Sequence, residues 1–216
     1  MNLTTIKQAA QNIFSRLNWK IYKPTFISIV FLLSILPCVL FLPEMYAWEN
    51  SFIENIQLVV IMAIFVVSLR AKYAKQLFNW ITMIVVILFL REINCGRIFF
   101  PINKVGTPVF KQWNQILSYP YNFIPNGIYG LFMIYTVYYF FKSKAYLQLC
   151  EIMKKAKIDC WNIIFMMSGI VIGTLSAMTW DNEMLEETTE TLFYVAFGVL
   201  VYLYGYNKDY KVKGIK

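Results

Sequence analysis

No histidine occurs anywhere in the 216 residues of this chain. That absence removes histidine-ligated zinc, haem with a histidine axial ligand, and Ser-His-Asp or Cys-His nucleophilic catalysis. Glycine is sparse, at nine residues, and no phosphate-binding loop of the Walker or dinucleotide type is present, so this chain by itself is not an ATP-driven pump. The four cysteines, Cys38, Cys95, Cys150 and Cys160, lack the paired spacing of metal or redox motifs and read as apolar packing residues. Cys38 and Cys95 fall toward the same side, but spacing alone does not put them within bridging range. No cofactor and no metal are expected. What remains is chemistry or binding by carboxylates, arginines, amides and tyrosines.

Charge is scarce as well. Only 15% of residues are charged, against 59% hydrophobic and 18% aromatic. With a mean hydropathy of +0.53, the chain is too apolar for a soluble domain of this length. A span needs roughly 20 mostly apolar residues, and six segments qualify, at about 25–42, 51–70, 76–98, 126–141, 159–179 and 184–206. The fourth is short, so whether it spans fully is open. The expected fold is an all-α membrane protein with about six transmembrane helices.

The basic residues set its orientation. With the N-terminus inside, 16 of the 20 lysines and arginines fall on the cytoplasmic side and nine of the twelve acids on the other. Both termini are therefore expected in the cytoplasm, in the inner (plasma) membrane of a cell. The net charge of +8 is scattered over short loops beside spans. That distribution points to anionic lipid head groups at the cytoplasmic face and not to nucleic acid. Homo-oligomerisation is compatible with the sequence.

Residues 1–24 lack the features of a cleaved secretory signal and are expected to be retained. Thr5 with Gln8 resembles a capping box, and Ile6, Ala10, Ile13, Phe14 and Leu17 follow helical spacing, as in a helix lying in the membrane interface. Ala145 to Ile158 reads the same way, and for both segments an ordinary solvated connector is the alternative. A single transmembrane domain covers 25–208, and 209–216 form a basic cytoplasmic tail. The outer loop from about 99 to 125 mixes four prolines with Phe99, Phe100, Phe110, Trp113, Tyr119, Tyr121 and Phe123, which suits an aromatic belt at the interface or a lid over a site.

Trp48, Glu49, Asn50 and Glu54 recur as Trp180, Asp181, Asn182 and Glu186, each displaced by 132 positions. The offset aligns residues of about 25–72 with 157–204, which implies a parallel repeat of helices 1–2 and 5–6 about an axis normal to the membrane. Each copy places carboxylates just inside a span, where they are costly and mark a site. The third span supplies the complement: Arg91, Glu92, Asn94 and Arg97 close an apolar run, with Arg91, Asn94 and Arg97 on one expected helical stripe. Counting about 1.5 Å per residue, Arg91 lies roughly 10 Å deep, and Glu54, Gln57, Glu186, Glu187 and Glu190 roughly 6–12 Å deep. The expected polar site is therefore Glu49, Glu54, Gln57, Arg91, Glu92, Asn94, Arg97, Asp181, Glu186, Glu187 and Glu190, in the outer half of the bilayer.

In these residues the chain resembles uncharacterised bacterial inner-membrane proteins with an acidic Trp/Glu/Asn-like start to one span, a later Arg-Glu followed by Gly-Arg, and a final acidic span. Trp48, Glu49, Asn50, Glu54, Gln57, Arg91, Glu92, Gly96, Arg97, Glu186, Glu187 and Glu190 carry the likeness over about residues 25–206. In that pattern an aromatic residue often precedes the glycine, where this chain has Cys95. The resemblance implies no activity. Three readings fit the residue set: a small transporter or solute-binding permease, a structural or assembly protein whose ion pairs only fix helix packing, and an intramembrane enzyme acting on a lipid-linked phosphate.

Overall fold

The computed structural model describes residues 11–48, 51–102, 109–180 and 182–212. The chain is mostly helical. Seven helices of more than ten residues carry it: α1 (Thr25–Phe41), α2 (Phe52–Leu69), α3 (Lys75–Glu92), α4 (Ile124–Lys142), α5 (Ala145–Lys155), α6 (Cys160–Leu175) and α7 (Glu183–Tyr206). Two are long and apolar enough to cross a membrane by length and composition, Phe52–Leu69 and the run Cys160–Trp180, and Thr25–Phe41 is a shorter apolar helix. α4 spans 19 residues, three more than its apolar run suggests.

α7 is the organising element. It packs along α6 and against both α2 and α1, while α3 leans on α2 and carries α4 and α5 on its other side. The 24 residues of α7 hold four of the twelve acids of the chain, yet twelve of its residues are buried, among them Leu192, Tyr194, Ala196, Val201 and Leu203. Its start is well specified. Asn182 caps it by accepting a hydrogen bond from the Leu185 N–H at 2.8 Å, and Glu183 and Glu186 sit in the first turn, where the helix dipole favours negative charge. The seam with α6 is close because α6 presents glycine. A Cβ on Gly169 would lie 2.7 Å from the Thr189 carbonyl oxygen of α7, so the two backbones meet as they do in small-residue membrane packing.

The two segments that the 132-residue offset aligns pack differently. α6 and α7 run against each other, whereas α1 and α2 both lie against α7. α1 and α4 turn apolar rows outward, with Leu33, Leu36, Leu40, Ile128, Leu131 and Ile134 all more than 60% exposed. Apolar surface of that extent needs a non-aqueous partner.

Two local features depart from the sequence reading. First, the third helix stops at Glu92 instead of continuing to 98. Asn94, Cys95 and Gly96 all have positive φ, at 49°, 52° and 92°, which breaks the helix, so Arg91, Asn94 and Arg97 do not share a helical stripe. Second, two short pairings appear among the helices. β1 (Leu17–Asn18) runs parallel to β4 (Ile158–Asp159), and β2 (Pro101–Ile102) pairs antiparallel with β3 (Val109–Phe110). All four cysteines are free, in keeping with a sequence that offers no paired spacing. Ala145–Lys155 is helical as its spacing predicts. The proposed cap at Thr5 and Gln8 lies outside the described residues.

Candidate functional site

The site is assembled where α2, α3 and α7 converge. Arg91, in the last turn of α3, forms ion pairs with Glu92 at 2.8 Å and with Glu190 of α7. It also donates to the Tyr194 hydroxyl at 2.9 Å, and that hydroxyl in turn donates to Glu92 Oε1 at 2.6 Å. Tyr194 is one helical turn beyond Glu190 and fully buried, so its hydroxyl locks the α3 and α7 charges into one arrangement. Gln57 of α2, also fully buried, donates through Nε2 to both the backbone oxygen and Oε2 of Glu187, at 3.0 and 2.8 Å. Its own Oε1 is buried without a partner.

Glu54 is close enough to Glu187 to act on it electrostatically, as are Glu92 and Glu186. Glu186 and Glu190, with Arg91, line a cavity of about 480 Å³ whose remaining walls come from α6 at Gly169, Gly173 and Thr174, and from Leu88 and Phe193. Among the described residues the Glu186 carboxylate makes neither an ion pair nor a side-chain hydrogen bond. Arg91 thus pairs with Glu92 and Glu190, while Glu54, Glu92 and Glu186 gather about Glu187. No set of three or more acids or cysteines among the described residues has the geometry to hold a metal ion.

Asn94 and Arg97 belong elsewhere. Arg97 donates to Gln112 Oε1 at 2.6 Å and to Asn94 Oδ1 at 3.1 Å, so it pairs with the segment after α3 and not with the glutamates. Glu49 and Asp181 lie outside the described residues. Tyr194, Gln112 and Trp113 are the site residues that sequence reasoning missed. For Tyr194 a signal existed, since a tyrosine one turn after a glutamate inside an apolar run needs a partner for its hydroxyl.

A second polar cluster, at the opposite end of the bundle, was not anticipated at all. Asp159 sits one residue before α6, fully buried, with Asn162, Thr25 and Ser28 equally buried beside it. Asn162 ties them together. It donates to Asp159 Oδ2 at 2.5 Å and to Thr25 Oγ1 at 3.0 Å, and accepts from Ser28 Oγ at 2.8 Å. Next to it Asn18 donates to the hydroxyls of Tyr22 and Tyr210, at 3.0 and 2.9 Å. Burial raises the Asp159 carboxyl above its ordinary value, and the hydrogen bonds from Asn162 and Tyr210 only partly oppose this. Asp159 Oδ1 has no partner.

Comparison with protein-family models, with curated proteins and with solved structures finds no match to this chain.

Proposed function

We propose that this chain is a six-span plasma-membrane protein with both termini in the cytoplasm, and that the α2/α3/α7 site binds a cation or proton together with a solute, as in a small transporter or permease. One observation carries the reading: the Glu186 carboxylate lines a cavity of about 480 Å³ beside the Arg91–Glu190 pair and, among the described residues, makes no ion pair or side-chain hydrogen bond of its own. A site meant only to hold helices together would match its charges, whereas a carboxylate left over at a cavity leaves room for an exchangeable positive charge. The outward apolar rows of α1 and α4 support the membrane setting. The 132-residue repeat enters this proposal as a repeat of acid placement at the starts of α2 and α7, since the packing of the two hairpins differs. The resemblance to uncharacterised inner-membrane proteins is of the same kind.

The test is proton or cation uptake by purified protein reconstituted in liposomes carrying a pH-sensitive dye. Glu186→Gln is expected to abolish or strongly slow uptake while the protein still folds. Uptake equal to that of empty liposomes in the wild type overturns the proposal.

A second reading, a scaffold, is favoured by the closure of the Arg91–Glu92–Glu190–Tyr194 network. Arg91→Leu combined with Glu92→Leu and Glu190→Leu separates the two readings. A scaffold tolerates loss of the three, because the guanidinium and both carboxylates paired with it leave together. A transporter folds in that form and loses uptake.

A further inference from the structure

On the far side of Arg91 from the glutamates lies a different pocket. It measures about 350 Å³ and is lined by Arg91, Arg97, Gln112, Trp113, Asn126 and Tyr129, with Asn94 and Cys95 completing the wall and no carboxylate among these residues. Arg97 has only neutral partners, the amide oxygens of Gln112 and Asn94, so its charge is uncompensated among the described residues. Both amides spend their oxygens on Arg97, which leaves their NH2 groups as donors. The Trp113 indole N–H is buried and has no acceptor. A guanidinium, an orphaned indole N–H and turned amides form a set rich in donors and poor in acceptors, and a buried unpaired donor calls for an acceptor at that place. The three successive positive-φ residues, Asn94, Cys95 and Gly96, hold the turn that brings Arg97 to Gln112. Such costly backbone persists where the surroundings over-determine it.

We infer that this pocket binds an oxyanion, the phosphate-type group of either a free anion or a lipid head group, against Arg97, Arg91 and the Trp113 N–H. Ligand oxygens satisfy the indole donor and neutralise Arg97, and charge-assisted hydrogen bonds to a guanidinium are the strongest available here. The pocket is separate from the carboxylate cavity, and Arg91 forms the wall between them. This site stands whether or not the carboxylate site transports anything.

The test uses the full-length protein in neutral maltoside detergent, titrated calorimetrically with inorganic phosphate in one arm and with short-chain phosphatidylglycerol, against phosphatidylcholine, in the other. Saturable binding is expected in at least one arm. A response to phosphate identifies a soluble anion as sufficient, and a response to phosphatidylglycerol alone identifies the lipid head group. Arg97→Gln is expected to weaken binding by at least about 10-fold, and Trp113→Phe, which keeps the ring and removes the N–H, by roughly 5-fold. Trp113→Phe decides the matter if Arg97→Gln does not fold. Binding is read directly by heat and needs no uptake, so this result is independent of the uptake assay. Absence of saturable binding in both arms, or unchanged affinity in Trp113→Phe, overturns the inference.

Discussion

At the scale of single residues, Tyr194 holds the site together. Its hydroxyl accepts from Arg91 and donates to Glu92, bridging α3 and α7 where Tyr194 itself is fully buried. Tyr194→Phe keeps the ring and its packing, and strips both charged neighbours of a partner. Leaving buried polar groups unsatisfied costs about 1–3 kcal/mol. The variant should show a clearly lowered thermal midpoint in detergent, with helical content by circular dichroism retained. A midpoint equal to that of the wild type would mean that the ion pairs alone set the α3–α7 geometry. In the sequence this tyrosine is one of 15, whereas Arg91, Glu186, Glu187 and Glu190 stand out because charge is rare inside apolar runs. Rarity made the acids legible; abundance hid the tyrosine.

At the scale of elements, the α6–α7 seam and the Asp159 cluster make separate predictions. Gly169→Ala places a methyl group 2.7 Å from a backbone oxygen of α7, which rotamer changes cannot relieve. Overpacking of this kind costs about 1–3 kcal/mol, so the thermal midpoint should fall, while Gly127→Ala, with nothing within 4 Å of the added methyl, should not lower it. Equal midpoints for the two variants would show that the helices part easily at this seam.

For Asp159 the folded state raises the carboxyl above its unfolded value. Its stabilising contribution is therefore fully present at pH below the unfolded value of about 3.9, and is lost as pH rises through the folded value. Asp159→Asn removes that ionisation. The variant should be more stable than the wild type at neutral pH, with the gap narrowing as the pH is lowered toward 4, as followed by thermal melts across pH. The titratable groups next to it, Tyr22 and Tyr210, have hydroxyls pushed above their ordinary range by burial and stay neutral throughout. A gap that widens on acidification would show that the carboxylate is held charged. This cluster was illegible in the sequence for a physical reason. Thr25, Ser28, Asn18 and Asn162 are ordinary small polar residues far apart in the chain, and the parallel pairing of β1 with β4 that brings the first segment to Asp159 has no periodic signature at two residues per strand. The helices themselves were legible, because apolar runs mark them in the sequence. The early stop of α3 was not, since Asn94 and Cys95 adopt positive φ only in their tertiary setting.

At the scale of the whole molecule, the two polar clusters lie at opposite ends of the helices, the glutamates near the starts of α2 and α7 and Asp159 at the start of α6. Reporter fusions after Pro43, Val105 and Asn182 should report the outside, and fusions after Ala74, Lys155 and Lys211 the cytoplasm. The expectation rests on 16 of 20 basic residues collecting on one side. It also agrees with the ends of the helices: Ala74 and Asn207 flank α3 and α7 at the end that carries Lys72, Lys75, Lys208 and Lys211, and Glu92 and Glu183 mark the other. The fusion after Val105 is decisive, because it reports on the end of α3 where Arg91 joins the glutamates and Arg97 joins the loop. A cytoplasmic signal there places both sites on the inner side, so that uptake driven from outside must fail. An external signal with cytoplasmic signals after Ala74 and Lys155 requires α3 and α4 to cross as a pair, although neither meets the length and hydropathy of a span by itself. Their crossing then depends on α2 and α7 shielding Arg91 and Glu92, and weakening that shield with Tyr194→Phe should lower the external signal at Val105 while leaving the signal after Pro43 unchanged.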